Sequence, residues 1–443
     1  MLQQPMSLRS RGFFYFLLSL ALFLFQISLA RAVEPDGPPF KFKPTSTTKY
    51  IKVTSLADSG RGSLRECVLT QGSRVCLFEI AGTINLYSDI VIKYSNILIA
   101  GQTAPAPGIT LARAGIAVQA KNVEIQHIAI RPGDSRTGSS PDQRNGLAVG
   151  GYDPRLTYSV SLKNLSLTWA IDENFSTWSS VTHDIWLQNS IIAEGLNDSI
   201  HSKGPHSAGV LVGINSQRLT MNGNLIAFNF DRNPYLEPGT STKMTNNLVY
   251  GWGDHGPWNI CNLTNNFDTT TPLIAAIIGN VWIPAPFSYQ QDATIYSSQI
   301  VATSQVYLQD NYGPGRWSDS DPESAIASLS DPSVITTTCP FSTGCTATLK
   351  AADVESYVLK NAGSRPKQRS SIDRRIVSDV QNRKGSIKDC LTGCTNAAGR
   401  IPSTSPTRRR LTVPSNPTGD SDNDGISNFD EWLFGYTAQV EYV

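Results

Sequence analysis

From Tyr50 to about Tyr312 the chain alternates short apolar runs with single polar residues, and Gly, Asn or Pro interrupts the alternation at close intervals. YIKVTSL, INLYSDIVIKYSNILIAG, GITLARAGIAVQA and KNVEIQHIAI open the series. NLSL, HDIWLQNSII, RLTMNGNLI, TKMTNNLVY, LIAAIIGNVWI and SQVYLQDNYG continue it. Period-two alternation rich in β-branched residues predicts strands, and no segment between these runs carries a convincing helical period. The runs recur about every 20 to 35 residues, a solenoid spacing. One rung cannot bury its own inner face, whereas stacked rungs share a continuous core. Asn recurs at the rung ends (Asn96, Asn122, Asn164, Asn224, Asn246, Asn247, Asn280). Its side chain tolerates left-handed bends and bonds to a neighbouring rung, so these are expected to be turn residues.

The pattern changes after the strands. Val354, Tyr357 and Val358, then Ile372, Ile376 and Val380, fall at helical spacings within Asp353 to Leu359 and Ser371 to Val380, which predicts a helical flank over 351–400. Ser, Thr, Pro and Arg dominate 401–419, the composition of a linker. The tail, 420–443, opens with DSDNDGISNFDE: Asp420, Asp422 and Asp424 alternate, Gly425 allows a sharp turn, and Glu431 takes the twelfth position. That spacing is an EF-hand-like calcium loop, because a hard cation needs several oxygens on one tight turn. The competing reading is an acidic, solvated tail. Loops of this kind resemble the single calcium repeats at the ends of exported bacterial proteins, and the expected role is structural or anchoring.

Residues 1–32 carry Arg9 and Arg11, the apolar run Phe13 to Ala30, and Ala30-Arg31-Ala32. This reads as a secretory signal peptide cleaved before Val33, hence a secreted protein without stable membrane insertion; a membrane anchor is the competing reading. The precursor has net charge +1, and the leader removes three Arg and no acids, leaving −2. Near neutrality argues against a general binder of nucleic acid or membrane surfaces. Seven Cys in an exported chain suggest disulfides, with Cys67 and Cys76, Cys339 and Cys345, and Cys390 and Cys394 as close pairs and Cys261 left over.

Several linked segments, in order over about residues 50–385, resemble polysaccharide lyase family 1, the pectate lyases. They are IAGTINLYSDIVIKYSNILIAGQTAPAPGITL, NVEIQHIAIRPGD, WAIDENFSTW, IIAEGLNDSIHSKGPHSAGVLVG, FDRNPYL, NNLVYGWG and AGSRPKQRSSIDRRIVSDV. The resemblance implies an all-β fold, a right-handed parallel β-helix over 33–350. It also implies β-elimination in a 4-linked galacturonan, so the expected partner is an acidic plant-type polysaccharide, pectate or pectin, met by a monomer. Arg232 falls on the family's catalytic Arg, and a salt bridge to Asp231 or Glu237 is its bland alternative. Lys203, His201 and His206 compete for the position of the family's substrate-binding Lys, which clamps a uronate carboxylate.

Asp172 and Glu173 match the family's acidic pair and are candidate calcium ligands. Two positions depart from the pattern. Lys163 stands where the family places a calcium-binding Asp, and Glu237 replaces a second Arg. Lys163 could contact substrate or close a salt bridge with Glu173. Trp169, Trp178, Trp252 and Trp258 lie near these motifs and could stack on sugar rings, whereas Trp186 is expected in the core. The departures keep a second class open, a catalytically silent β-helix that binds polysaccharide or acts as an adhesin. A β-helical hydrolase ranks last, since no paired-Asp motif is present.

Overall fold

Ile97, Val123, Val160, Ile185 and Leu219 stack in register on five successive strands with side chains at most 1% exposed. Each buried aliphatic side chain contributes about 1.5–3 kcal/mol of transfer free energy, so a column of them dominates local stability. The computed structural model describes residues 38–442 except 152–155, 207, 254–257, 261–270, 290–291, 343, 346–348 and 404. The signal-peptide segment and Cys261 lie outside the described residues.

The strands form three walls, the first of eleven strands and the other two of nine each among the described residues. One turn of the solenoid runs Thr157–Lys163 on the first wall, Ser166–Thr168 on the second and Glu173–Trp178 on the third. Pairing between turns is parallel, as a solenoid that always winds the same way requires. The repeat is uneven, from 23 residues (Leu219 to Thr242) to 37 (Val123 to Val160). Much of the variation falls at the corner between the second and third walls, which spans 169–172 in one turn and 194–207 in the next.

The Asn residues divide into two sets. Asn96, Asn122, Asn164 and Asn246 have φ from 50° to 61°, the left-handed bends expected of them. Asn224, Asn247, Asn280 and Asn311 instead form a buried ladder. The side-chain carbonyls of Asn247, Asn280 and Asn311 accept the backbone N–H of the preceding member at 2.9, 2.9 and 3.1 Å. Fully bonded, these amides satisfy a corner the apolar core leaves polar.

Three additions cover the walls. Helix α1, Leu64–Leu69, which the strand pattern hides, is capped by Ser63 and brings Leu64, Cys67 and Val68 into the core of the first turn. Helices α2, Ala351–Asn361, and α3, Ser371–Gln381, lie where the sequence places a flank. Their Val354, Val358, Ile372, Ile376 and Val380 pack on Ile191, Leu225, Leu248 and Val281, outward residues of the second wall. Buried ion pairs, Arg131 with Asp373 (2.8 Å) and Glu194 with Arg375 (2.6 Å), fasten this flank.

Helix α4, Asn428–Val440, sets Phe429 and Leu433 on Val75, Leu77 and Leu98 of the first wall. Residues 401–419 are therefore more than a linker: Thr407–Arg408 pairs antiparallel with the edge strand Ile80–Asn85, and Leu411 is buried in the same cluster as α4. Composition hides this because one edge strand and one Leu suffice to anchor the segment. The three expected close Cys pairs are disulfides. Among the described residues no helix is long and apolar enough to cross a membrane.

Candidate active site

The candidate groups gather at the corner between the second and third walls, where four successive turns bring loops together. A second Asn set builds this corner. Asn174 donates to Asn229 Oδ1 (2.9 Å), Asn229 donates to Asn233 Oδ1 (3.1 Å), and Asn233 donates back to the Asn229 carbonyl (3.1 Å). The chain flanking Glu173 in one turn is thus tied to the chain flanking Arg232 two turns on.

Arg232 itself has φ 58°, a left-handed conformation costing about 1–2 kcal/mol for a residue with a side chain. Its amide donates to Asp231 Oδ1 (2.7 Å), and its carbonyl accepts from Val210 N (2.6 Å). A Cβ on Gly209 would lie 2.6 Å from that carbonyl, so only Gly lets the neighbouring strand approach so closely.

The guanidinium lands on Glu173, to which Nη1 donates. Burial works against the charge of Arg232, but Glu173, Asp231, Asp172 and Glu237 together hold it above the ordinary guanidine range. Burial pushes the Glu173 carboxyl up to about 8, with Asp172 adding to the shift and Arg232 opposing it. Both directions share one cause, a dry corner holding more carboxylate than cation.

Asp172 Oδ1 meets His206 Nε2 at 2.9 Å, and the rings of His206 and His201 stack with centroids 4.0 Å apart. His201 is buried, and burial, then His206, holds its imidazole below the usual value. The 194–207 loop carrying both is pinned at several points. Ser202 N donates to Asp142 Oδ1 (2.8 Å), His206 N to the Asn197 carbonyl (3.0 Å), and Asn197 N to the Lys388 carbonyl (2.7 Å).

No protein-family model matches the chain. A "Probable pectate lyase C" of Aspergillus fumigatus (strain CBS 144.89) is 32% identical over 334 residues, covering 74% of this chain and 72% of the relative. The chain belongs to the pectate lyase family. The protein of the same name from Neosartorya fischeri is 31% identical over the same shares. Among solved structures, jun a 1, the major allergen from cedar pollen, aligns at 12% identity over 71% of this chain and 88% of its own, with TM-score 0.49. Pectate lyase Bsp165PelA from Bacillus sp. N165, solved in complex with trigalacturonate, aligns at 12% identity over 72% and 95%, with TM-score 0.39.

Against the pectate lyase pattern, the corner unites Arg232, Asp172, Glu173, His201 and His206, with Lys203 exposed on the same loop. Arg232 pairs with Glu173, and Asp231 and Glu237 add to the negative charge around it. Glu237 is turned back to accept from Ile214 N (2.7 Å).

Two expectations are corrected. Lys163 ends a first-wall strand and pairs with Glu441 at the end of α4 (3.1 Å), so it belongs to the docking of the tail and does not meet Glu173. Trp169 is fully buried, with its ring N–H on Glu194 (2.9 Å) and Arg131 over its face at 5.7 Å, so it anchors the flank and offers no surface to a sugar. Trp252 is buried as well, Trp186 is in the core as expected, and the side chain of Trp258 lies outside the described residues. Asn174, Glu194 and Asn233 lie within the family-like segments but without an assigned role, and Asp142 and Asn229 lie outside them. The one available signal is Asn recurring next to each acidic or basic candidate.

The corner does not fit calcium. That ion takes six to eight oxygens. Here Glu173 is held by Arg232, and among the described residues the ligand-type side chains that converge, Asp172, His201 and His206, offer one carboxylate and two nitrogens.

Proposed function

We propose that the chain is an exported lyase that cleaves 4-linked galacturonan, pectate or pectin, by β-elimination, with Arg232 acting on the C5 proton. The observation that carries this reading is the Arg232–Glu173 contact, half-buried at a corner that also exposes a Lys. A guanidinium is a poor base because it holds its proton at any ordinary pH. Bonded to Glu173, it can act as a shuttle: as one nitrogen takes the C5 proton, Nη1 passes its own proton to Glu173. The C5 electron pair forms the C4–C5 double bond, the C4–O bond breaks, and water protonates the departing oxygen. The step runs from the ionised form of Glu173, whose share grows as pH approaches the value of about 8 to which burial pushes this carboxyl.

Lys203 and His206 stand on one loop and supply donors for a uronate carboxylate. Export is supported by the leader pattern of residues 1–32 and by three disulfides. We assign calcium to the tail loop. Asp420, Asp422 and Asp424 converge, Gly425 turns at φ 87°, and Asp422, then Asp424 and Asp420, push the Glu431 carboxyl up. A bound cation relieves that crowding.

The test is incubation of the mature chain with de-esterified and with methylated galacturonan, following the ultraviolet absorbance of the unsaturated product. Product on either supports the lyase. A folded chain that makes none but retains the polymer on affinity electrophoresis would be the silent binder.

A further inference from the structure

Asp172, His201 and His206 place one ligand atom each within 4.8 Å of one another. They come from two adjacent turns: Asp172 closes the 169–172 corner, and both His belong to the 194–207 loop. Two stacked imidazoles and one carboxylate are an unusual grouping for a sugar-binding wall, since stacked rings of this kind cannot both be charged without repulsion. Imidazole with carboxylate is the donor set of zinc, cobalt, nickel and iron, whereas calcium and magnesium select oxygen alone.

We infer that this corner is a site for one first-row transition-metal ion, of the zinc or cobalt(II) type, with Asp172, His201 and His206 as ligands and the remaining position open. Because imidazole lone pairs lie in the ring planes, the two rings, 25° from parallel with centroids 4.0 Å apart, turn out of their stack to face one ion. The Asp172 Oδ1 to His206 Nε2 distance is 2.9 Å. Two donors sharing a zinc at bonds of about 2.1 Å stand roughly 3.0–3.4 Å apart, so this pair opens by a few tenths of an ångström.

His201 Nδ1 now accepts the Lys203 amide at 3.1 Å. Ligation through Nε2 turns Nδ1 into a donor, which releases the Lys203 amide and needs Asp142 Oδ1, 3.7 Å away, to move within hydrogen-bond reach. That completes a carboxylate–histidine–metal arrangement, the outer partner that fixes a ligating imidazole. Asp142 is itself held by the Ser202 amide and hydroxyl. Resting on the lyase reading, the role of the ion is to neutralise the uronate carboxylate beside Arg232, so that this branch of the family would use a nitrogen-ligated metal where oxygen ligands for calcium are missing.

The test uses the full mature chain, stripped with chelator, with Asp420→Asn and Asp424→Asn present to silence the tail. Cobalt(II) is titrated and followed by its visible absorption and by calorimetry, with zinc and calcium as competitors. One equivalent of cobalt is expected, displaced by zinc but not by a large excess of calcium. His206→Gln, at a partly exposed position, is expected to weaken binding by more than the ~10- to 100-fold that loss of an outer partner alone costs.

His201→Asn should do the same. Because that residue is buried, its fold is checked by circular dichroism and His206→Gln decides if it fails. No cobalt band in the folded chain, a band unchanged in His206→Gln, or displacement by equimolar calcium would overturn the site. Lyase activity is measured on the same samples. Cobalt binding by a chain that makes no unsaturated product supports the site and counts against the lyase alone.

Discussion

Two places in this molecule concentrate carboxylates, and they differ in what surrounds them. In the tail loop Asp420, Asp422 and Asp424 converge on one turn, held by backbone amides of that turn, and their charge raises Glu431 in the first turn of α4. At the wall corner Asp172 and Glu173 are adjacent in sequence and act on each other, but each also has a partner from another turn: Glu173 meets Arg232, and Asp172 meets His206. The first arrangement is all oxygen and suits calcium. The second has a cation and two imidazoles in place. Acidic residues alone therefore say little about a metal. What decides is which groups from other turns arrive beside them.

The largest effect expected from breaking this comparison is at Arg232. Arg232→Ala should lower the elimination rate by about 10²–10⁴-fold, the range for a group that moves a proton in the transition state, with circular dichroism unchanged. Full activity in that variant would remove Arg232 from the chemistry.

Glu173→Gln should follow, with a smaller fall in kcat and an altered pH dependence. A free Glu titrates near 4.5 and this one at about 8, so the native chain holds the extra proton across that window. Stability contributed by Glu173 is thus present at low pH and declines as pH rises toward 8. The difference in melting temperature between the parent chain and Glu173→Gln, measured at several pH values, should change in that direction. A difference constant from pH 4.5 to 8 would argue that Glu173 ionises normally.

At the tail, calcium at about a hundred times its Kd should stabilise the chain by roughly 2.7 kcal/mol, read as a calcium-dependent rise in melting temperature that Asp424→Asn abolishes. The rate on galacturonan should be unaffected by that substitution, since the loop precedes α4 on the first wall and the corner lies between the other two. The smallest change is expected for Lys203→Ala. One charge-assisted contact from an exposed side chain is worth about 1.4 kcal/mol, so KM should rise about tenfold with kcat little changed.

The fold was largely legible in the chain. Period-two alternation with Asn and Gly at recurring intervals announces stacked strands, and two short helical periods mark the flank now seen as α2 and α3. Less legible was anything that depends on which face a residue presents. Trp169 sits among the motifs and could as well have lined a cleft, but its corner turns inward under α3. Lys163 stands where the family pattern places a metal ligand, and Glu441, 278 positions away, claims it. Helix α1 is only six residues long, too short to show a period.

The sequence by itself determined what is local or repetitive: the rungs, the left-handed Asn corners, the close disulfides and the spacing of the acidic tail loop. Each follows from backbone preference or from contacts a few residues apart, and such preferences are written at every occurrence. Only the tertiary structure decided the meeting of Arg232 with Glu173, of Asp172 with His201 and His206, and of Lys163 with the tail. These pairings depend on how many residues each corner inserts before the chain returns to its wall. Corner length is unconstrained by periodicity, so the partners of a corner residue emerge only when the turns are stacked.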